Sequence, residues 1–158
     1  MQETARICQQ MKQMVYGEAW HGPTLCEVLD GVTAEIAAAK PISGFHSIWE
    51  LLGHLIAIQE MICERIAVGS DSQDQWPATP EPTDAAWQQA IDRFKSAEDR
   101  LRQAVAALFD DRLPLLWRPG ASSIYNNLHG NIQHTAYHIA QIGLLKKLVL
   151  DPSAVHNK

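Results

Sequence analysis

The sequence has little that belongs to an exported, membrane-inserted or nucleic-acid-binding protein. Its first residues, Met1 to Arg6, lack the basic-then-apolar order of a signal peptide, and no apolar run approaches the roughly 20 residues that span a bilayer. The formal net charge of -5 provides no basic surface for nucleic acid or an anionic membrane. We therefore expect a cytoplasmic protein that acts on a small molecule.

Cysteine is also scarce, and the common nucleophilic motifs are absent. Cys8, Cys26 and Cys63 are odd in number and have no Cys-x-x-Cys spacing, which argues against a disulfide framework or a zinc knuckle and favours reduced thiols. No Ser-His-Asp arrangement, phosphate loop or paired carboxylate with recognisable spacing supports nucleophilic protein catalysis or phosphoryl transfer. Cys63 lies nine residues after His54, about 180° around a helix, and is a poor nucleophile for a site at that histidine.

What the chain has instead is helical periodicity, which predicts one all-α domain over residues 1–158. Ser47 and Glu50, three residues apart, predict a capping box at the second long helix. Short helical turns are expected after Thr24 and Thr33. The expected fold is a four-helix bundle with short extra helical turns and one irregular crossover. Its long helices are expected over about 3–15, 47–68, 83–109 and 123–150.

Three histidines are candidate metal ligands. His134 and His138 lie four residues apart in a proline-free helix, so their side chains share one face within roughly 6 Å of each other. Two histidines spaced in this way can hold one ion. His54 lies among aliphatic residues in the middle of another helix, where burial requires a partner. Facing each other across a bundle, the three would form a site with open positions, as in catalytic zinc sites.

Each of these observations also has a plainer interpretation. His54 can be a buried histidine that is satisfied by a carbonyl or hydroxyl, and the pair can be a polar stripe on a half-exposed helix. His129 precedes His134 by five residues, about 140° around the helix, and we do not expect it to reach the same ion. The remaining histidines are expected to be exposed and merely polar; they are His21, His46 and His156.

Helical phase indicates which residues could assist such a site. Gln141 shares the face of the histidine pair and could orient a ligand or a bound water. Asn131 and Asn127 lie one and two turns before the pair, where interhelical hydrogen bonding is the alternative. Glu50 lies one turn before His54, but the capping box already accounts for it.

Large aromatic and apolar side chains permit two interpretations. Trp20, Trp49 and Tyr137 could line the mouth of a pocket, although aromatic residues in a small bundle are more often part of the core. Apolar helix faces beyond the needs of one core suggest a homodimer.

The chain resembles the DinB-like family of metal-dependent enzymes. In that family a four-helix bundle carries one histidine on its second helix and a His-x-x-x-His pair on its last. The resemblance covers nearly the whole chain, and its most specific part is the Tyr-His-x-x-Gln-Ile ending of the last stretch. Ala140 departs from the pattern, since many relatives have glycine there. The matching stretches are 20–23, 46–54 and 128–142.

The resemblance implies a divalent metal, nickel, zinc, iron or manganese, held by His54, His134 and His138. It also implies a low-molecular-weight thiol as a possible cosubstrate, since the family includes thiol-dependent S-transferases and isomerases. Metal coordination would stabilise a thiolate, and the same site could instead activate water as in a hydrolase. The alternative is a non-catalytic bundle that binds a metal or a small molecule.

Overall fold

A computed structural model describes residues 2–70, 74–151 and 153 of the chain. His156, expected to be exposed, lies outside these residues. The described residues contain a short 3-10 helix at Asp110–Arg112 and no strand, which confirms the all-α prediction. None of the described helices is long and apolar enough to cross a bilayer. The described ranges form six α-helices, which are α1 (Glu3–Tyr16), α2 (Leu25–Leu29), α3 (Ala34–Ala38), α4 (Ile48–Val68), α5 (Asp84–Ala106) and α6 (Ile124–Leu150).

Side-chain caps begin most of these helices at the predicted residues. At α4 the Ser47 hydroxyl accepts the Glu50 N–H, and the Glu50 carboxylate accepts the Ser47 N–H at 2.7 Å, which completes the predicted capping box. Gly69 ends α4 in the left-handed region, at φ 67°, a conformation that glycine adopts without steric cost. The starts of α2 and α3 at Thr24 and Thr33 are likewise confirmed.

The end of α5 differs from the prediction. The helix stops at Ala106, whereas the periodicity continues to Phe109. The cause is a long-range contact, since the Asp110 carboxylate accepts the N–H groups of Glu3 and Thr4 at 2.8 and 3.0 Å. An anionic group is favourable at a helix start, where backbone N–H groups are unpaired. The chain therefore leaves the helix early and caps α1.

Four long helices form the predicted bundle. Helix α4 packs against α5 and α6, and α1 packs against the same two helices. The short helices cover its sides, with α2 against α1 and α6 and α3 mainly against α4. The middle of α4 therefore faces the middle of α6, and these two segments carry the candidate histidines.

The core consists of two apolar clusters, and buried polar side chains lie where one gives way to the other. Along α6, Leu128 belongs to one cluster and Ile139 to the other. Asn131 and Thr135 lie between them and are 3% and 0% exposed, and Gln59 of α4 is 1% exposed. The side-chain amides and the hydroxyl of these three residues have no hydrogen-bond partner in the described part of the chain.

Candidate metal centre

The structure brings the three predicted histidines together. The Nε2 atom of His134 lies 3.2 Å from Nε2 of His54 and 3.1 Å from Nε2 of His138. His54 and His138 are buried, at 4% and 6% exposure, and His134 is partly buried. Within the described residues these are the histidines whose donor atoms all lie within 4.8 Å of one another. That they hold a metal stays a prediction.

Two of the three rings have their orientation set by a hydrogen bond at Nδ1. The Nδ1 atom of His54 lies 2.6 Å from the carbonyl oxygen of Gln75, which can only accept, so Nδ1 carries the proton and donates it. The Nδ1 atom of His138 likewise donates to Oε1 of Gln141 at 2.6 Å, and Nε2 of Gln141 donates to the Tyr137 hydroxyl at 2.9 Å. Both rings therefore direct an unprotonated Nε2 at the cluster, as histidine ligands of metals do.

This arrangement fits a divalent cation better than it fits hydrogen bonds among histidines. The carbonyl of Gln75 satisfies only one nitrogen of His54, so the plainer interpretation of that histidine leaves its Nε2 unexplained. A proton on Nε2 of His134 can be donated to only one of the two neighbouring Nε2 atoms. The lone pair of the other Nε2 then faces the His134 nitrogen with no proton between them. Zinc bonds to histidine of about 2.0–2.1 Å at a tetrahedral angle would separate two nitrogens by about 3.3 Å. The observed 3.1 and 3.2 Å are close to that separation.

Burial keeps the three imidazoles in the neutral form that a metal needs. Burial lowers the pKa of His54, although the hydrogen bond to Gln75 acts in the opposite direction. Burial likewise lowers the pKa of His138, although the hydrogen bond to Gln141 raises it. The pKa of His134 falls to about 4 through burial first and then through its proximity to His138 and His54. Proton competition for the cluster at neutral pH is therefore weaker than it is for free imidazoles.

A three-ring stack covers one side of the cluster. Trp76 lies parallel to His54, with ring centroids 4.0 Å apart, and parallel to His46 on its other face, at 3.8 Å. His46 is half exposed, with Nδ1 3.5 Å from a carboxylate oxygen of Glu50. His46 is exposed, as expected, but a loop distant in sequence also brings Trp76 against its ring, a contact that the sequence did not predict. Sequence reasoning missed Gln75 as well, since a backbone carbonyl leaves no signal in residue type.

The loop packs against α4 at Gly53, beside His54. A Cβ atom at Gly53 would lie 3.6 Å from Cγ of Pro77, which is ordinary van der Waals contact, so the position would also accept alanine. The 75–77 segment thereby lies next to His54, where the Gln75 carbonyl and the Trp76 ring contact the histidine.

The predicted assisting residues divide into those at the cluster and those elsewhere. Gln141 contacts His138 as its helical phase predicts. Asn127 accepts a hydrogen bond from Arg65 of α4 at 2.7 Å, the interhelical alternative. Glu50 completes its capping box and pairs with Lys40 at 2.8 Å.

Other candidates lie away from the cluster. His129 packs against Tyr125 with the two rings tilted, has Nε2 4.0 Å from a Glu3 oxygen, and is not part of the cluster, as expected. His21 is exposed. Cys63 is a partly buried thiol that packs against the apolar cluster of Ile62 and Leu101, and burial raises its pKa.

The three aromatic residues have three different environments. Trp49 is in the core at 3% exposure, 5.1 Å from the ring of Trp87. Tyr137 is 60% exposed beside the histidines, at the pocket mouth that the sequence offered as one alternative. Trp20 is fully exposed, so the preference for a core position was wrong there. It lies in the turn after α1, where no second layer of helix covers it.

Two concavities flank the cluster. An apolar cavity of about 770 Å³ reaches His138, and a polar pocket of about 260 Å³ reaches His134. A larger surface depression of about 1070 Å³ beside α2 contains none of the three histidines, so the volume of a pocket alone does not identify the candidate site. The polar pocket is lined by Arg65, Ser122, Asn126, Asn127, Asn131 and His134 together with apolar residues of α4.

The fold and the cluster together define an all-helical protein with a histidine site suited to a metal. A family model described as the DinB superfamily matches residues 20–142, a span that includes all three histidines. This chain belongs to the DinB superfamily. Comparison with curated proteins and with solved structures gives no match.

Proposed function

We propose that this protein is a metal-dependent enzyme in which His54, His134 and His138 hold a divalent ion and leave coordination positions open. The observation that supports the proposal most is the convergence of the three Nε2 atoms, two of them oriented by hydrogen bonds at Nδ1. Three protein ligands with an open position are characteristic of catalytic zinc, whereas structural zinc has four. Imidazole ligands also suit nickel and iron, and manganese is the remaining candidate from the family resemblance.

In the proposed reaction the sulfur of a low-molecular-weight thiol loses its proton to solvent and bonds to a small electrophile, which either releases a leaving group or takes up a proton after addition across a double bond. A divalent ion in the cluster would favour the thiolate of a bound thiol, or would lower the pKa of bound water so that the same site hydrolyses the electrophile. The residues around the cluster have supporting roles. The Gln75 carbonyl and the Gln141 amide hold the ring protons of two ligands, and Trp76 excludes water from one face of His54.

Elemental analysis of untagged protein tests the proposal. We expect near-stoichiometric metal in the wild type, and its loss in His54→Ala and in the double variant His134→Ala/His138→Ala. His129→Ala is the matched control, since it removes a histidine of the same helix that lies outside the cluster. Absence of metal after reconstitution with nickel, zinc, iron and manganese would contradict the proposal. Metal without turnover of any thiol and electrophile pair would favour the non-catalytic alternative.

A homodimer is part of the proposal. Three large apolar side chains in the segment after α5 are exposed, Phe109 at 73%, Leu115 at 49% and Leu116 at 54%. The three residues lie within eight positions of one another in the chain, and contiguous exposed apolar surface is typical of interfaces. Sedimentation velocity should give the mass of two chains, and Phe109→Ser should reduce it to one.

A further inference from the structure

We infer that the apolar cavity beside His138 binds the organic part of the substrate, and that this part is an uncharged aromatic or comparably apolar group. The inference rests on the proposed function, because it takes the histidine cluster as the reacting centre. The cavity volume of about 770 Å³ lies within the range of roughly 300–1,000 Å³ that is usual for small-molecule sites.

The walls of the cavity are mostly apolar. Among the lining residues only Lys147 has a side chain that is charged regardless of the state of the histidines. Moving a charged group from water into such surroundings is costly without a partner, whereas an apolar group gains free energy by leaving water. The apolar lining residues are Ile42, Phe45, Leu51, Trp76, Leu144, Leu145 and Leu148.

Three polar groups at the cluster end of the cavity already have partners. The His138 ring, the Gln141 amide and the Tyr137 hydroxyl form a continuous hydrogen-bonded series. None of them is among the buried polar atoms that have no partner in the described residues. The end of the cavity at the cluster therefore has little need of a polar ligand, in contrast to the pocket at His134, where both polar atoms of the Asn131 side chain lack a partner in the described residues.

The cavity is continuous with the cluster. His138 belongs both to its wall and to the cluster, and its ring lies 4.4 Å from that of His134 and 5.0 Å from that of His54. Trp76 has both faces covered by His46 and His54, so it can offer a ligand only the edge of its ring. Ring edges are electropositive and attract the face of another aromatic ring. An aromatic group in this cavity would thus lie beside the open side of the cluster.

Binding of two matched probes tests the inference. Naphthalen-2-ylmethanol is uncharged, and naphthalen-2-ylmethylamine has the same ring with a positive charge. Titration calorimetry of the zinc-reconstituted protein should give saturable binding of the alcohol and weaker binding of the amine. Equal binding of the two, or no saturable binding of the alcohol, would overturn the inference.

Two variants of α6 locate the bound probe. Leu144→Glu places a charge in the cavity wall, and Leu150→Glu places the same charge outside it on a residue of equal exposure, 60% against 61%. Both side chains are largely exposed, so neither change disturbs the core. We expect the first to weaken binding of the alcohol about tenfold, as loss of a leucine contact implies, and the second to leave it unchanged. Equal affinities of the two variants for the alcohol would overturn the inference. So would a Leu144→Glu variant that dissociates a dimer but binds the alcohol as tightly as the wild type.

Cobalt in place of zinc tests the proximity of the probe to the cluster. Paramagnetic Co²⁺ should accelerate relaxation of the ring protons of the bound alcohol relative to Zn²⁺, and identical relaxation would overturn the inference. Because the calorimetry can be run on the protein with or without metal, the two proposals can fail separately. A protein that holds stoichiometric metal but does not bind the alcohol keeps the proposed function and loses this inference. Binding of the alcohol by a protein that retains no metal removes the proposed function and, with it, the substrate role of the cavity.

Discussion

The two sides of the histidine cluster differ in how their polar groups are satisfied. Towards the apolar cavity, His138 is bonded to Gln141, and His54 is bonded to the Gln75 carbonyl and covered by Trp76. Towards the polar pocket, Nδ1 of His134 has no partner among the described residues, nor does the side chain of the neighbouring Asn131. His54 and His138 are therefore oriented by the protein without an ion, whereas we expect the orientation of His134 to depend on the ion itself.

Breaking the hydrogen bond at His138 should have the largest effect. Gln141→Leu removes the acceptor that holds the proton on Nδ1, and we expect metal affinity to fall by about 10–100-fold, as is usual when a residue that orients a ligand is lost. Competition with a chromophoric chelator measures the change. Gln133→Leu is the control, because it alters the same helix at a residue that lines a different groove. Equal loss in both variants would show that the Gln141 contact has no special role.

Removing the Trp76 ring should have the next largest effect, on stability. The ring stacks on His54 and His46, and each aromatic contact contributes about 0.5–1.5 kcal/mol. Trp76→Ala should therefore lower the free energy of unfolding by about 1–3 kcal/mol, measured by urea denaturation. Trp20→Ala deletes a fully exposed indole and should leave stability unchanged. A stable Trp76→Ala variant would mean that the stack contributes nothing.

The lowered pKa of His134 predicts how the stability of metal-free protein depends on pH. Its folded-state pKa of about 4 lies below the ordinary value of 6.5, so the unfolded chain binds more protons between these limits. The contribution to stability is full above pH 6.5 and is lost as pH falls towards 4. After allowance for partial exposure we expect a loss of about 1–2 kcal/mol. Chelator-treated His134→Gln should lack this component, and identical pH profiles for variant and wild type would contradict the assignment.

The smallest effect is expected on the polar side. Asn131 is 3% exposed and its amide has no partner in the described residues, so Asn131→Leu exchanges an unsatisfied polar group for an apolar one of similar size. We expect the free energy of unfolding to rise by about 1 kcal/mol and metal affinity to stay within a few-fold of the wild type. Asn126→Leu changes an exposed residue of the same helix and should leave both the free energy of unfolding and the metal affinity unchanged. Destabilisation by Asn131→Leu would show that ordered water satisfies the amide.

Local rules made much of the fold predictable from the sequence. The serine and threonine caps act within three residues of each helix start, and the starts of α4 and α6 follow from Ser47 and Ser123. The end of α5 did not follow, because Asp110 caps a helix that begins 107 residues earlier in the chain. No local pattern contains a contact of that kind.

The candidate site was predictable to a similar extent. Helical spacing placed His134 and His138 on one face, and the bundle placed His54 opposite them. Trp76 and the Gln75 carbonyl were missed because they come from a proline-rich loop without periodicity. A tryptophan in an otherwise polar loop was the one available signal.

X-ray absorption spectroscopy of the zinc-reconstituted protein is the sharpest test of the three-histidine centre, because it reports the atoms bound to the ion. We expect three imidazole nitrogens at about 2.0–2.1 Å and at least one further light ligand from solvent. His54→Ala should remove one imidazole from the spectrum. Sulfur ligation, or a shell of oxygen atoms without the outer scattering of imidazole rings, would contradict a three-histidine centre.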